Sequence, residues 1–159
     1  ERVVVAHAPL SHSMGVEVSA ELSGGLPAVN GDPVQLERSL GNLVKNAIEA
    51  SPAGGVIRVA LDLVGSPGGA RSPSEIRIVI ADQGPGIPER DRTVIFSGRI
   101  RSNAARPTGG ESSTGMGLYL TGELAQRLGA KLTCEATPSA VALSFTWPSS
   151  VRTLASESR

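Results

Sequence analysis

The sequence has little of what stabilises secreted or membrane-inserted proteins. Cys134 is the one cysteine among 159 residues, so an internal disulfide is excluded and a reducing compartment is favoured. No apolar run approaches the roughly 20 residues that a helix needs to cross a bilayer. The chain begins at Glu1 rather than Met, so we interpret it as a fragment. We expect a cytoplasmic domain, whose parent protein could still be anchored in a membrane.

The chain also lacks net charge. Fifteen basic and fifteen acidic residues cancel, which gives no general electrostatic attraction to nucleic acid or to anionic lipid. We therefore expect no nucleic-acid partner and no direct contact with a membrane. The 159 residues, 40% of them hydrophobic, are sufficient for one domain that buries a core without disulfides or metal ions.

The spacing of apolar residues predicts six strands and two helices. Period-two alternation indicates strands over residues 3–6, 16–22, 56–64, 76–82, 131–137 and 141–147. Helical spacing indicates helices over residues 33–50 and 115–128, the first capped by Asp32 and the second ended by Gly129. This order predicts an α/β fold: a two-layer sandwich whose mixed, mainly antiparallel sheet is covered on one face by helices.

The first chemical motif is a pair of asparagines on the predicted helix at 33–50. Asn42 and Asn46 are four residues apart and share one face, and Glu49 follows three residues later. Amide oxygens are suitable ligands for Mg²⁺, which takes the rest of its shell from water and phosphates. An isolated pair could simply face solvent. Asparagine is unfavourable inside a helix, however, so two on one face favour a functional role.

The second motif is an acidic, glycine-rich turn that follows an apolar strand. Asp82, Gly84 and Gly86 alternate there, and Ile87 comes next. An ordinary turn would have the same residue types. The functional alternative is that Asp82 accepts a hydrogen bond from an exocyclic amine such as that of adenine, while the glycines let the backbone approach the ligand. Taken alone, the two interpretations are about equally supported.

The third motif is a second glycine-rich turn that opens a helix. Residues 114–118 read Thr-Gly-Met-Gly-Leu. A helix N-terminus presents free N–H groups and the positive end of the dipole, which suits phosphate. Glycine-rich entries to helices are common without any ligand, and this one has neither a Walker nor a Rossmann spacing.

Between the last two motifs lies a stretch rich in Gly, Ser, Arg and Thr. Residues 98–113 cannot bury enough apolar surface to fix themselves, so we predict a flexible loop and interpret residues 88–114 as a lid. Arg99, Arg101 and Arg106 could pair with a terminal phosphate, or could equally be solvated. The polar tail, residues 149–159, is expected to be disordered.

In this order the motifs resemble the N, G1 and G2 boxes of the Bergerat-fold ATPases, a group that includes gyrase, the heat-shock chaperone and histidine kinases. Ile95 and Phe96 resemble the start of the F box. The resemblance covers roughly residues 14–148. The segment Asp-Pro-Val-Gln-Leu at residues 32–36 is similar to the catalytic, ATP-binding domain of sensor histidine kinases.

The resemblance implies a site for ATP and Mg²⁺. Asn46 would be the metal ligand, Asn42 an accessory catalytic group and Asp82 the residue that binds the adenine amine. Further nucleotide contacts would come from Glu49, Gly84, Gly86, Ile87, Thr114, Gly115, Met116, Gly117 and Leu118. Gyrase-like members have Glu at the position of Asn42. A carboxamide cannot act as a general base, so phosphoryl transfer to a protein is favoured over hydrolysis.

The chain departs from the family pattern at three places. Residues 99–103 replace the usual continuation of the F box, Ser113 stands where a glycine is common, and Glu49 stands where many relatives have Lys or His. Two of these departures lie in the predicted lid. Which lid arginine contacts phosphate is therefore left open.

The resemblance also implies partners. A histidine kinase needs a dimerisation and histidine phosphotransfer domain, which this chain lacks, and a response regulator. Residues 1–13 are interpreted as the lead-in from that domain, with Pro9 breaking any helix and His7 and His12 as ordinary surface or loop residues. The isolated domain is expected to be a monomer. Two alternatives remain: a serine kinase of the anti-sigma-factor type with the same fold, and a degenerate nucleotide-binding module without turnover.

Overall fold

The computed structural model describes residues 1–26, 31–64, 75–92, 95–96, 116–137 and 140–148. Four helices and five strands lie within these ranges. In chain order they are α1 (Arg2–Met14), β1 (Glu17–Leu22), α2 (Pro33–Ala50), β2 (Val56–Val64), β3 (Glu75–Asp82), α3 (Glu89–Arg92), α4 (Met116–Arg127), β4 (Lys131–Thr137) and β5 (Ala140–Pro148).

The five strands form one mixed sheet in the order β1-β2-β3-β5-β4. β1 runs parallel to β2, and the three remaining pairs are antiparallel. Parallel pairing of β1 with β2 requires a crossover, which α2 supplies. Val59 lies opposite Ile80 on β3, and Ile80 lies opposite Leu143 on β5. The predicted strands from residue 16 onward and the mainly antiparallel sheet are confirmed.

The core lies between the sheet and α2. Leu43, Val44 and Ile48 are almost fully buried there against Ile57 and Ile80. The neighbouring strand positions point the other way, because side chains alternate along a strand. On that open face Arg58 pairs with the exposed Glu21. The predicted two-layer arrangement, with helices on one face of the sheet, is confirmed.

α2 begins where the sequence predicts. Asp32 Oδ1 accepts hydrogen bonds from the backbone N–H of Val34 at 2.8 Å and of Gln35 at 3.4 Å. Pro33 occupies the first turn, where its missing N–H has no helical partner. These contacts fix the residue at which the helix begins. They therefore also fix the side of α2 on which Asn42 and Asn46 lie.

The prediction for the first residues was wrong. The strand expected at residues 3–6 is part of α1, and Pro9 lies inside that helix. Proline has no N–H, so Pro9 cannot donate the helical hydrogen bond to the carbonyl of Val5. Val5 is 71% exposed, so water can hydrate that carbonyl instead. Val3, Val4 and Leu10 pack against the core. Tertiary packing on α2 therefore outweighs the local cost of proline.

α1 ends in a left-handed cap at Gly15, which has φ of +64°. His7 and His12 are thus helical residues, not loop residues. α3 is a single turn that the sequence did not predict, inside the predicted lid. Within the described ranges, the longest and most apolar helices still fall short of what a membrane crossing requires.

Candidate nucleotide-binding site

The acidic turn after β3 is closely packed. Asp82 ends the strand with 7% of its surface exposed, and its Oδ1 accepts a hydrogen bond from the N–H of Gly84 at 2.8 Å. A Cβ at Gly84 would lie 2.9 Å from that carboxylate oxygen and 3.0 Å from both Cβ and O of Ala50. No side chain fits there, so the glycine is required for the turn to close over Asp82.

The two sides of this turn are also fixed. The Oε1 of Gln83 accepts a hydrogen bond from the N–H of Val56 at 2.9 Å. Gly86 has φ of +80°, which favours glycine. Ile87 packs against the core, and its carbonyl accepts a hydrogen bond from Nε of Arg92 at 2.9 Å. The orientation of the Asp82 carboxylate is therefore fixed by contacts within the protein.

The asparagines lie on the less buried side of α2. Asn42, Asn46 and Glu49 are all half-buried and lie along one side of the helix, which we call the asparagine stripe. The Nζ of Lys45 lies 3.7 Å from Oε1 of Glu49. The structure thus brings the predicted residues of this helix onto one surface and adds Lys45, which the sequence analysis did not single out.

The first turn of α4 packs directly on Asn42. A Cβ at Gly117 would lie 3.4 Å from Cγ of Asn42, and Leu118 packs against the core. The buried Thr121 donates a hydrogen bond to the carbonyl of Gly117 at 2.8 Å. The second glycine turn therefore meets the asparagine stripe at the start of a helix. Met116 begins α4, whereas Thr114 and Gly115 lie outside the described residues.

The segment that resembles an F box also packs on α4. Ile95 is buried, and Phe96 contacts the core. A Cβ at Gly122 would lie 3.0 Å from the carbonyl oxygen of Phe96 and 3.1 Å from its Cβ. Gly122 was not predicted as a contact residue from the sequence, although a glycine inside a helix is a signal of close approach. Arg99, Arg101 and Arg106, Ser113 and the tail at 149–159 lie outside the described residues.

Cys134, on β4, is partly buried and packs against the core. Burial raises the pKa of its thiol, with a further contribution from the negative charge of Asp82, while Arg92 acts in the opposite direction. A neutral thiol in apolar surroundings is a poor nucleophile. Cys134 is therefore part of the packing of the core rather than a reactive group.

These groups fit an adenine nucleotide with a magnesium ion. Asp82 is a buried acceptor with backbone close by, which suits a base with an exocyclic amine. No cluster of three or more His, Cys, Asp or Glu side chains occurs in the part of the chain that the structure describes. An ion bound by a few amide oxygens and by phosphates fits this donor set, since Mg²⁺ is usually held in that way.

Comparison with known proteins identifies the family and the fold of the chain. A family model described as "Histidine kinase-, DNA gyrase B-, and HSP90-like ATPase" matches residues 31–150. The signal transduction histidine-protein kinase BarA of Escherichia coli (strain K12) is 32% identical over 142 residues, which are 87% of this chain and 15% of BarA. The chain spans 15–23% of the length of such curated relatives.

Two solved structures extend the comparison. That of a mycobacterial sensor histidine kinase, MprB, is 26% identical with a TM-score of 0.72, over 92% of this chain and 91% of that chain. Full-length ShkA, solved in complex with AMPPNP, is 22% identical with a TM-score of 0.74, over 92% of this chain and 28% of ShkA. The second match supports the fold alone.

Proposed function

The chain belongs to the family of histidine kinase-, DNA gyrase B- and HSP90-like ATPases, and we propose that it is the ATP-binding catalytic domain of a sensor histidine kinase. It would transfer the γ-phosphoryl group of Mg-ATP to a histidine on a separate dimerisation domain. The observation that carries the proposal is the approach of Gly117 to Asn42, because it joins the glycine turn of α4 to the asparagine stripe.

The buried end of the site selects the base. The carboxylate of Asp82 accepts a hydrogen bond from the adenine amine. Gly84 lets the turn close over that carboxylate, and Gly86 lets the backbone approach the ring. The N–H of Gly84 already bonds one carboxylate oxygen at 2.8 Å. That bond holds the carboxylate in orientation, so binding does not have to order it.

The half-exposed end of the site holds the phosphates. Asn46 would ligate Mg²⁺ together with phosphate oxygens, and Asn42 would lie beside them. The bound ion would neutralise charge on the phosphates and favour an in-line transfer. The protein contributes position and electrostatics: α2 fixes the amides, and the N-terminus of α4 presents N–H groups to the anion.

Asn42 also bears on the acceptor of the phosphoryl group. A carboxamide cannot take a proton from water, so hydrolysis receives no assistance at this position. A histidine nitrogen needs no such base, because the neutral imidazole already has a lone pair. The acceptor histidine, the dimerisation domain that presents it and a cytoplasmic response regulator are therefore the partners we propose.

Transfer to a histidine hairpin supplied in trans tests this function. The unaltered chain should phosphorylate the hairpin in the presence of Mg-ATP, and the phosphoryl group should be lost in acid, as expected of phosphohistidine. Asn46→Asp is the control, and it should abolish transfer. An acid-stable product on a partner serine would instead support the anti-sigma-type kinase. Binding of nucleotide with no transfer to any acceptor would support the degenerate module.

A further inference from the structure

Lys45 lies at the edge of the asparagine stripe and faces the same space as Asn42. Both residues line a groove of about 450 Å³ between α1 and α2. Lys45 is three residues after Asn42, next to Asn46 and four residues before Glu49, so its side chain is a neighbour of the stripe. Its ammonium lies 3.7 Å from the Glu49 carboxylate, and about half of its side chain is exposed.

The stability of α2 does not explain this ion pair. Glu49 is the penultimate residue of the helix, where a negative charge opposes the macrodipole. Lys followed by Glu four residues later is also the less favourable order for a helical ion pair. No basic residue occupies the last turn to compensate. A pair that breaks two local rules favours a role for its residues other than holding the helix.

The charges around the site favour a phosphate-binding role for Lys45. Glu49 and Asp82 are both acidic, whereas ATP brings several negative charges of its own. Among the described residues of α2, Lys45 and Arg38 are the cations. Arg38 lines the same groove, but it lies eight residues before Asn46, about 12 Å along the helix axis, whereas Lys45 is adjacent to Asn46 in sequence. Lys45 is therefore the cation of α2 beside the metal-binding asparagine.

We propose that Lys45 contacts the phosphates of ATP, and that Glu49 positions its ammonium until the nucleotide arrives. This inference rests on the proposed function, since it assigns a phosphate-binding residue to the same site. In the free protein Lys45 pairs with Glu49. In the complex the ammonium bonds to phosphate oxygens, which carry more charge than one carboxylate.

Calorimetric titration with AMP, ADP and ATP tests the role of Lys45. Lys45→Gln should weaken ATP and ADP binding by about tenfold, as expected for loss of a charged hydrogen bond, and change AMP binding by less than about twofold. Lys131→Gln is the matched control. It removes the same charge from an exposed position on β4 and should leave all three affinities unchanged.

The role of Glu49 has its own measurement. Without Mg²⁺, Glu49→Gln should raise ATP affinity a few-fold in the unaltered background and have a smaller effect in Lys45→Gln. Equal effects in both backgrounds would overturn the positioning role. Unchanged selectivity among AMP, ADP and ATP in Lys45→Gln would overturn the inference while leaving the proposed function intact. Failure of the unaltered chain to bind any adenine nucleotide would overturn both.

Discussion

The two ends of the proposed site are built differently. At the base end, Asp82 is 7% exposed, and the adjacent Gly84 has no room for a methyl group. At the phosphate end, Asn42, Asn46 and Glu49 are half-buried, and Lys45 is held by an ion pair at 3.7 Å. Packing fixes the first end, whereas charges that can exchange partners organise the second.

The difference separates recognition from chemistry. A closely packed turn with a fixed carboxylate discriminates by shape and by one hydrogen bond, and it loses little entropy when the base binds. A half-exposed polar surface can follow the phosphates and the metal ion as charge moves between them. Changes at the base end should therefore affect every adenine ligand alike, and changes at the phosphate end should affect only ligands that carry phosphates.

The largest effect is expected from Asp82→Asn. Loss of a buried charged acceptor should cost about 1.5–3 kcal/mol of binding free energy, or roughly 10- to 150-fold in affinity. Adenosine, ADP and ATP should lose affinity by the same factor in calorimetric titrations. Asp62→Asn, on the open face of the sheet, is the control. A much larger loss for ATP than for adenosine would contradict the assignment of Asp82 to the base.

Gly84→Ala tests how closely the base end is packed. The added methyl group would meet the Asp82 carboxylate at 2.9 Å and the Ala50 carbonyl at 3.0 Å. We expect the free energy of unfolding to fall by about 1–3 kcal/mol, as for other overpacked sites, in denaturant titrations. Gly24→Ala is the control, since no atom lies within 4 Å of its added Cβ. Equal stability of the two variants would show that the turn is not packed as described.

Asn46→Ala should affect the phosphate end alone. The gain in ATP affinity on adding Mg²⁺ should shrink by roughly tenfold, or about 1.4 kcal/mol. Adenosine affinity should stay the same, and stability should not fall, because alanine is the better helix former. Gln35→Ala, an exposed amide in the first turn of α2, serves as the control. If Asn46→Ala reduced the affinity for adenosine as much as that for ATP, the assignment of Asn46 to the phosphate end would be contradicted.

The smallest effect concerns the open face, which belongs to neither end. The hydrogen bond from Arg58 lowers the pKa of Glu21. The pair therefore stabilises the fold above the unfolded-state pKa of Glu, about 4.3, and this contribution is lost as the pH falls through the lower folded-state value. Arg58→Gln should lose slightly less stability than the unaltered chain on acidification in denaturant titrations. Nucleotide affinity at neutral pH should not change in this variant.

The sequence was sufficient where local pattern and tertiary role agree. α2 carries a clear apolar stripe and a cap at Asp32, and β2 and β3 alternate regularly, so their positions and pairing could be predicted. α1 could not, because the valines among its first residues favour a strand and Pro9 signals a break. Only packing on α2 makes that segment helical.

The site divides in the same way. Asp82, Gly84 and the asparagines were identifiable because each lies within a short motif. The contacts that hold the site together could not be identified, because they join residues that are distant in sequence. The contact of Phe96 with Gly122, and that of Gly117 with Asn42, join segments 26 and 75 residues apart, so they exist only once α4 has docked.

The sheet order has a consequence for the behaviour of the protein in solution. β1 and β4 end the described sheet, and each therefore presents a row of backbone groups on its outer side. Glu17 and Glu21 are exposed on β1, and Lys131 and Glu135 are exposed on β4. Charged residues on an edge strand oppose its pairing with a strand of another molecule. The charged residues on β1 and β4 therefore oppose aggregation through pairing of the sheet edges of two molecules.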